Sequence, residues 1–327
     1  MRNYVGIDVA KNKLDVAWLR DPEKLKIKTK AVPNHKEGFA QLVGWLRDQI
    51  SADLTSIHVV LEATGVYHEA VAYALASAGV AVSIVNPGRV HDFAKGLGTQ
   101  HKTDKKDSVL LARFGALTRP DLWEPERPEI RELKALLSRL SMLEKDLRRE
   151  QNRQEQANIS EASAIVIASI EGMIAQLQRE IERVKQQIDH HIDDYPDLKK
   201  DRELLLSVPA VGEVLSRNLL ALLHSRNFKN AGQVAAFVGL VPKIRQSGQW
   251  VGYSRLSKSG DGEIRAKLYL AAVVATKYNP DIRAQYLRLL KAGKRKMQAI
   301  GAAMRKLVQI CYGVLKHQSK YQPQAAF

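Results

Sequence analysis

The chain has 327 residues, 45% hydrophobic and 26% charged, with 51 Lys+Arg against 35 Asp+Glu and a formal net charge of +16. That length predicts two or three domains with apolar cores, and its 20 Gly and 11 Pro are too few for long disordered tracts. The single cysteine, Cys311, excludes an intrachain disulfide framework, no apolar stretch reaches the ~20 residues of a membrane helix, and no signal-peptide pattern opens the chain, so the expectation is a cytoplasmic protein.

Residues 1 to 119 read as α/β. An apolar run from Tyr4 reaches Asp8, breaks at Lys11-Asn12-Lys13 and resumes through Leu14, Val16 and Trp18, which predicts a strand, a tight turn and a returning strand. A third strand is expected near Lys26 to Val32, a helix around His35 to Gln49, and a short strand from His58 to Leu61 running into Glu62. A helix over Val66 to Ala78 and a strand over Val80 to Val85, closed by Asn86-Pro87, complete a mixed sheet with crossover helices. Asp8 and Glu62 therefore both end strands, where side chains can converge on one sheet edge.

Next comes Lys102-Thr103-Asp104-Lys105-Lys106-Asp107. Thr103 or Asp104 can cap a helix running on through Leu117, and a spacing of three puts Asp104 and Asp107 on one face of its first turn. A single acid there only complements the helix dipole. Four converging carboxylates repel one another unless a divalent cation offsets them, and oxygen-only ligation suits Mg²⁺, with Mn²⁺ possible. Lys102, Lys105 and Lys106 fit an approaching phosphate.

Residues 120 to 203 change character. Leu133, Leu136, Leu140, Leu143 and Leu147 form one helical run, a polar stretch follows from Arg148 to Ser163, and Ile167, Ile170, Ile174, Leu177, Ile181, Val184 and Ile188 form a heptad seam. These predict a helical coiled-coil arm for dimerisation, with His191 a satisfied seam residue.

The remaining residues, 204 to 327, hold 20 Lys+Arg against 4 Asp+Glu and so match the whole net charge, a distribution that predicts a polyanionic partner, nucleic acid before others. Ser207-Val208-Pro209-Ala210-Val211-Gly212 between two apolar helical stretches is similar to a helix-hairpin-helix, whose backbone N–H groups meet phosphates. From Ala235 a loop or short hairpin rich in Gly, Ser and basic residues includes Lys243, Arg245, Arg255 and Lys258, and each of Ser247, Ser254, Ser257 and Ser259 can contact phosphate. A helix over Ile264 to Lys277, a basic cluster of Lys291, Lys294, Arg295 and Lys296, and a last helix over Ala299 to Leu315 close the chain.

The order Asp8, Glu62, Asp104, Asp107, set in GIDVAKNKLDV, LEATG and KTDKKD, resembles the RNase H-like, RuvC-type domain of the insertion-sequence one-ten family of transposases, also called bridge recombinases and related to the Piv DNA invertases. The resemblance spans nearly the whole chain. It implies a RuvC-like metal domain over 1–119, the arm over 120–203 and a mostly α-helical basic transposase domain over 204–327. It implies a DEDD metal site at Asp8, Glu62, Asp104 and Asp107, and it selects Ser247, in GLVPKIRQSG, as the nucleophile that forms a phosphoserine–DNA intermediate. Ala210 and Gln246 depart from the Gly and Glu usual in the family. The implied partners are donor and target DNA, a structured noncoding guide RNA and further copies of the chain as a dimer or tetramer, in the nucleoid of a prokaryote. Two other readings stay open on the residues alone: a metal-dependent nuclease or junction resolvase using water, and a non-catalytic nucleic-acid-binding protein.

Overall fold

Alternation along the first hairpin decides which way the opening strands face. A computed structural model describes the chain except residues 1–2, 22–23, 25, 64, 98–103, 244–245, 248–249, 252–254, 259 and 325–327, and the side chains at 104–106, 246, 250 and 251. Two units divide it, Met1–Pro125 and Glu126–Phe327.

In the first unit β1 (Asn3–Val9), β2 (Lys13–Asp21) and β3 (Lys26–Pro33) form an antiparallel meander, its first hairpin closed by Ala10 N–H donating to the Lys13 carbonyl at 2.9 Å. After α1 (Lys36–Gln49), β4 (Ile57–Glu62) pairs in parallel with β1, and after α2 (Glu69–Ser77), β5 (Ala81–Val85) pairs in parallel with β4. The sheet order is β3-β2-β1-β4-β5. Val5, Ile7, Leu14, Val16, Val59 and Leu61 pack one face against Leu42 and Leu46 of α1 and Val71 and Leu75 of α2. Each such buried aliphatic contributes roughly 1.5–3 kcal/mol. Helix α2 begins three residues later than periodicity predicts, because residues 65–68 form a turn with Gly65 at φ 56°. Helix α3 (Pro87–Gly96) was not expected; Asn86 caps it by accepting from Gly88 N–H, and Pro87 stands at its first position.

The opposite face is covered by α4 (Asp104–Thr118), through Leu111 and Phe114 against Val60, Val85 and Val90. Helix and strand approach closely because each carries a glycine at the crossing. A Cβ on Gly6 would stand 2.0 Å from the Ser108 carbonyl oxygen and 2.4 Å from the Ala112 nitrogen, and one on Gly115 would stand 2.7 Å from Val60 Cγ2 and 3.1 Å from Tyr4 Cδ1.

In the second unit α5 (Pro128–Ile159) and α6 (Ala164–Asp193) form an antiparallel hairpin, its base fixed where His191 Nε2 donates to the Glu129 carbonyl at 2.8 Å. The polar stretch from Arg148 continues α5 to Ile159, since it holds helix-forming Arg, Glu and Gln without Gly or Pro, with pairs such as Asp146–Arg149 at 3.0 Å. Of the expected seam only Ile181, Val184 and Ile188 are buried, joined by Ile192 and by Ile130, Leu133, Leu140 and Leu143 of α5. Toward the tip Ile167, Ile170 and Ile174 are half-buried, as two helices alone cannot enclose both sides of a seam.

Beyond the hairpin, α7 (Pro196–Leu206), α8 (Glu213–His224), α9 (Ala231–Phe237), α10 (Gly262–Tyr278), α11 (Pro280–Lys291) and α12 (Lys296–His317) share a continuous core with its base. Helices α9 and α11 were not expected, yet Asn230 and Asn279 cap them by accepting from Gln233 and Ile282 N–H. No helix among the described residues is long and apolar enough to cross a membrane.

The glycine crossing generates a test. Gly6→Ala forces a methyl into two backbone atoms and is expected to cost ~2 kcal/mol or more by chemical denaturation. Gly44→Ala, inside α1 with nothing within 4 Å of its added Cβ, is expected to stabilise by up to ~1 kcal/mol. Equal effects of the two substitutions would show that the α4 approach is not tight.

Candidate carboxylate site and serine loop

Strand parity places the first two acids. Val5, Ile7 and Val9 belong to the α1–α2 core, so Tyr4, Gly6 and Asp8 face the other side, where α4 crosses. Val59 and Leu61 share that core while Val60 packs on α4, so Glu62 faces the same side as Asp8. The two strands run in parallel with Ile7 beside Leu61, which carries Asp8 and Glu62 out together at the same end.

Helix α4 runs antiparallel to β1: Gly115 lies against Tyr4 and Ser108 and Ala112 lie against Gly6. Two further strand residues advance ~6.6 Å, about the 5.4 Å pitch of one helical turn, so the turn opposite Asp8 is the one from Asp104 to Asp107. Asp107 is half-buried; Asp104 opens the helix and its side chain lies outside the described residues. Among the described residues no three His, Cys, Asp or Glu side chains form a group able to hold a metal. Lys102 lies outside the described residues, as do the side chains of Lys105 and Lys106.

Asn34, which sequence reasoning missed, ties the two loops that leave these strands. Its Nδ2 donates to the Ala10 carbonyl at 2.9 Å and the Tyr67 carbonyl at 3.2 Å. The buried His58–Ser83 pair is structural, since the Ser83 hydroxyl donates to the Asp121 carbonyl at 2.7 Å and His58 Nε2 lies 2.8 Å from Ser83 Oγ.

In the second unit the segment after α9 forms short strands. Pro242–Lys243 (β6) pairs with Arg255–Leu256 (β9), setting Lys243 opposite Arg255, and Gln246–Ser247 (β7) pairs with Trp250–Val251 (β8). Ser247 is exposed, opposite Trp250; Arg245 lies outside the described residues. The base of this loop is firmly held. Ser257 N–H donates to the Val241 carbonyl at 2.8 Å, Lys258 N–H to that of Gly239 at 3.2 Å, and Arg265 Nη1 to those of Gly260 at 2.9 Å and Val238 at 3.2 Å. Arg265, near the start of α10, thus ties the end of α9 to the turn before α10. Arg255 and Lys258 are exposed on the loop, and Lys291, Lys294, Arg295 and Lys296 are exposed where α11 gives way to α12.

Residues 207–212, where the sequence is similar to a helix-hairpin-helix, form a turn between α7 and α8, with Val211 N–H donating to the Val208 carbonyl at 3.0 Å. Gly212 precedes α8 with no side-chain cap, leaving its first N–H groups for a polar partner. Ala210 sits at φ 78°, a left-handed conformation that suits the glycine usual there.

Comparisons with known proteins define the class first. Residues 5–157 match a DEDD transposase family of the IS110 group, and residues 202–287 match the transposase IS116/IS110/IS902 family. The chain is 33% identical over 324 residues, 98% of each chain, to a pilin gene-inverting protein of Moraxella bovis. It is 28% identical over 156 residues, 46% of this chain and 39% of the relative, to an uncharacterized 42 kDa protein of insertion element IS900 of Mycobacterium paratuberculosis. The chain belongs to the IS110 family of transposases and is a DNA transposase or recombinase.

The strained hairpin residue yields a prediction. Ala210→Gly removes a left-handed alanine and is expected to raise unfolding stability by ~0.5–1 kcal/mol, read from the denaturation midpoint. A lower midpoint would mean that the alanine methyl contributes more than its backbone costs.

Proposed function

We propose that the chain is a site-specific recombinase that cuts and rejoins DNA through a serine-linked intermediate. The carrying observation is the meeting of Asp8 and Glu62, on adjacent parallel strands, with the turn that opens α4, in a chain of the IS110 family. The sheet order β3-β2-β1-β4-β5, with an antiparallel meander followed by parallel strands, supports an RNase H-like, RuvC-type fold for the first unit. An all-carboxylate set of Asp8, Glu62, Asp104 and Asp107 fits a hard divalent cation, Mg²⁺ or Mn²⁺. When bound, such a cation offsets the carboxylate charge and stabilises the attacking and leaving oxygens of an in-line displacement at phosphorus.

A serine hydroxyl needs activation, and the exposed Ser247 sits on a loop anchored by Arg265. In the proposed step Ser247 Oγ bonds to phosphorus as the scissile phosphorus–oxygen bond breaks. The hydroxyl proton passes to a base and the departing deoxyribose oxygen is protonated. The phosphodiester is kept as a serine ester, so the reverse attack by another strand's hydroxyl rejoins DNA without an energy source. A relative named for inverting a gene supports such conservative exchange.

Lys243, Arg245, Arg255, Lys258 and the cluster Lys291, Lys294, Arg295 and Lys296 take phosphates of DNA and of a structured guide RNA, with Lys102, Lys105 and Lys106 serving the carboxylate site. The α5–α6 hairpin is the arm through which copies assemble as a coiled coil, in a dimer or tetramer, which its exposed Ile159 and Ile165 support. The three-part division at residues 119 and 203 separates the metal, arm and serine functions, and the working compartment is the cytoplasm, at the nucleoid.

The test uses labelled donor and target DNA, Mg²⁺ and RNA transcribed from the flanks of the gene. Wild type is expected to yield a denaturation-resistant protein–DNA adduct, while Ser247→Ala and Asp104→Asn each reduce it by at least ~100-fold. An adduct surviving in Ser247→Ala would falsify the nucleophile, and cleavage by wild type without any adduct would point to water as attacker.

A further inference from the structure

The loop that leaves Glu62 presents an aromatic ring beside the proposed cutting site. Strands β1 and β4 run in parallel and end together at Asp8 and Glu62, and the chain beyond each is drawn to one point. There Asn34 Nδ2 donates to the Ala10 carbonyl at 2.9 Å and to the Tyr67 carbonyl at 3.2 Å, so a single amide fixes Tyr67 between the exits of both strands. The loop is pinned on either side as well, by Ala63 N–H donating to the Val85 carbonyl at 3.0 Å and Glu69 N–H to that of Val66 at 3.3 Å. Between these anchors the side chains turn outward. Val66 is 70% exposed and Tyr67 43%, while His68, next along, is 9% exposed. Gly65 sits at φ 56°, and among the described residues the one atom within 4 Å of an added Cβ is Tyr67 Cδ2 at 3.9 Å, so the ring edge lies beside an open stretch of backbone.

A lone exposed apolar residue is ordinary on a protein surface. A neighbouring pair on a turn held at three points, at the sheet end where DNA is proposed to be cut, has a use that its place explains. In-line attack needs the phosphodiester oriented, and a linkage gripped only at its phosphate still turns about its own bonds. Lysine or arginine at this spot would pair with the two acids, whereas a neutral ring takes hold of a base without competing for them. Stacking is also tolerant of sequence, because every base has a π-face. We propose that Tyr67 is a stacking platform for the DNA base next to the scissile phosphate, with Val66 as the apolar edge that parts this base from its neighbour. The platform rests on the reading that places cutting at Asp8 and Glu62, and it is independent of what offsets their charge.

The test uses the full chain with the labelled DNA and flanking RNA, the DNA carrying 5-iododeoxyuridine at one position at a time around the cut. Irradiation is expected to cross-link the base beside the scissile phosphate to Tyr67, read by mass spectrometry. Tyr67→Ala is expected to lower the second-order rate constant of adduct formation ~10–100-fold, and Tyr67→Phe, which keeps the ring, to stay within about 3-fold of wild type, with both melting as wild type does. A Phe variant as defective as the Ala variant would assign the effect to the hydroxyl and overturn the stack, as would cross-links from Tyr67 to the RNA alone. Adduct formation by Glu62→Gln at the wild-type rate would remove the reading on which the platform rests. Tyr67→Ala reacting at the wild-type rate while Glu62→Gln is inactive would overturn the platform by itself. If Tyr67→Ala melts lower than wild type, the cross-link decides, and its absence from Tyr67 at every position overturns the proposal.

Discussion

The contact between Gly6 of β1 and the backbone of α4 sets the geometry of the first unit. With no side chain at residue 6 the helix lies directly on the strand at Ser108 and Ala112, and Gly115 repeats the arrangement further along. Because α4 runs opposite to β1, its opening turn comes to the end where Asp8 and Glu62 leave the sheet. The same closeness concentrates negative charge. Two carboxylates ~5 Å apart repel by roughly 3 kcal/mol at an effective dielectric near 20, whereas a helix N-terminus returns only about 0.3–1 kcal/mol per acid. The dipole alone does not balance four acids, which is the physical argument for the cation proposed there.

The second unit solves a different problem. It carries its net positive charge on a helical scaffold whose core is continuous from the base of the α5–α6 hairpin to α12. The loop with Ser247 is thin, built from two-residue strands, yet its base is bound to Val238, Gly239 and Val241. An exposed hydroxyl on a short hairpin with a fixed base suits the role proposed for Ser247. The start of α8, after the turn at Ala210, has no side-chain cap.

Much of the first unit was legible because strands with one buried face announce themselves by alternation, and the Lys11-Asn12 turn marks the hairpin. Asp8 and Glu62 stood out as acids at the ends of such runs. Gly6 and Gly115 were silent, since a glycine chosen for close approach resembles one chosen for a turn. Asn34 and Arg265 act through backbone carbonyls distant in sequence, which no spacing rule encodes. Helices α3, α9 and α11 were missed although Asn86, Asn230 and Asn279 supply ordinary caps, because each buries only one or two residues and so shows no clear apolar period.

The central claim is that α4, laid on Gly6, completes a carboxylate site with β1 and β4. Anomalous diffraction at the manganese edge, from crystals of the full chain soaked in Mn²⁺, tests it most directly. The account predicts a peak ~2.1–2.3 Å from carboxylate oxygens of Asp8, Glu62 and at least one of Asp104 and Asp107. Mn²⁺ bound elsewhere on the chain, with these four acids left without metal in crystals that otherwise take it up, would contradict it.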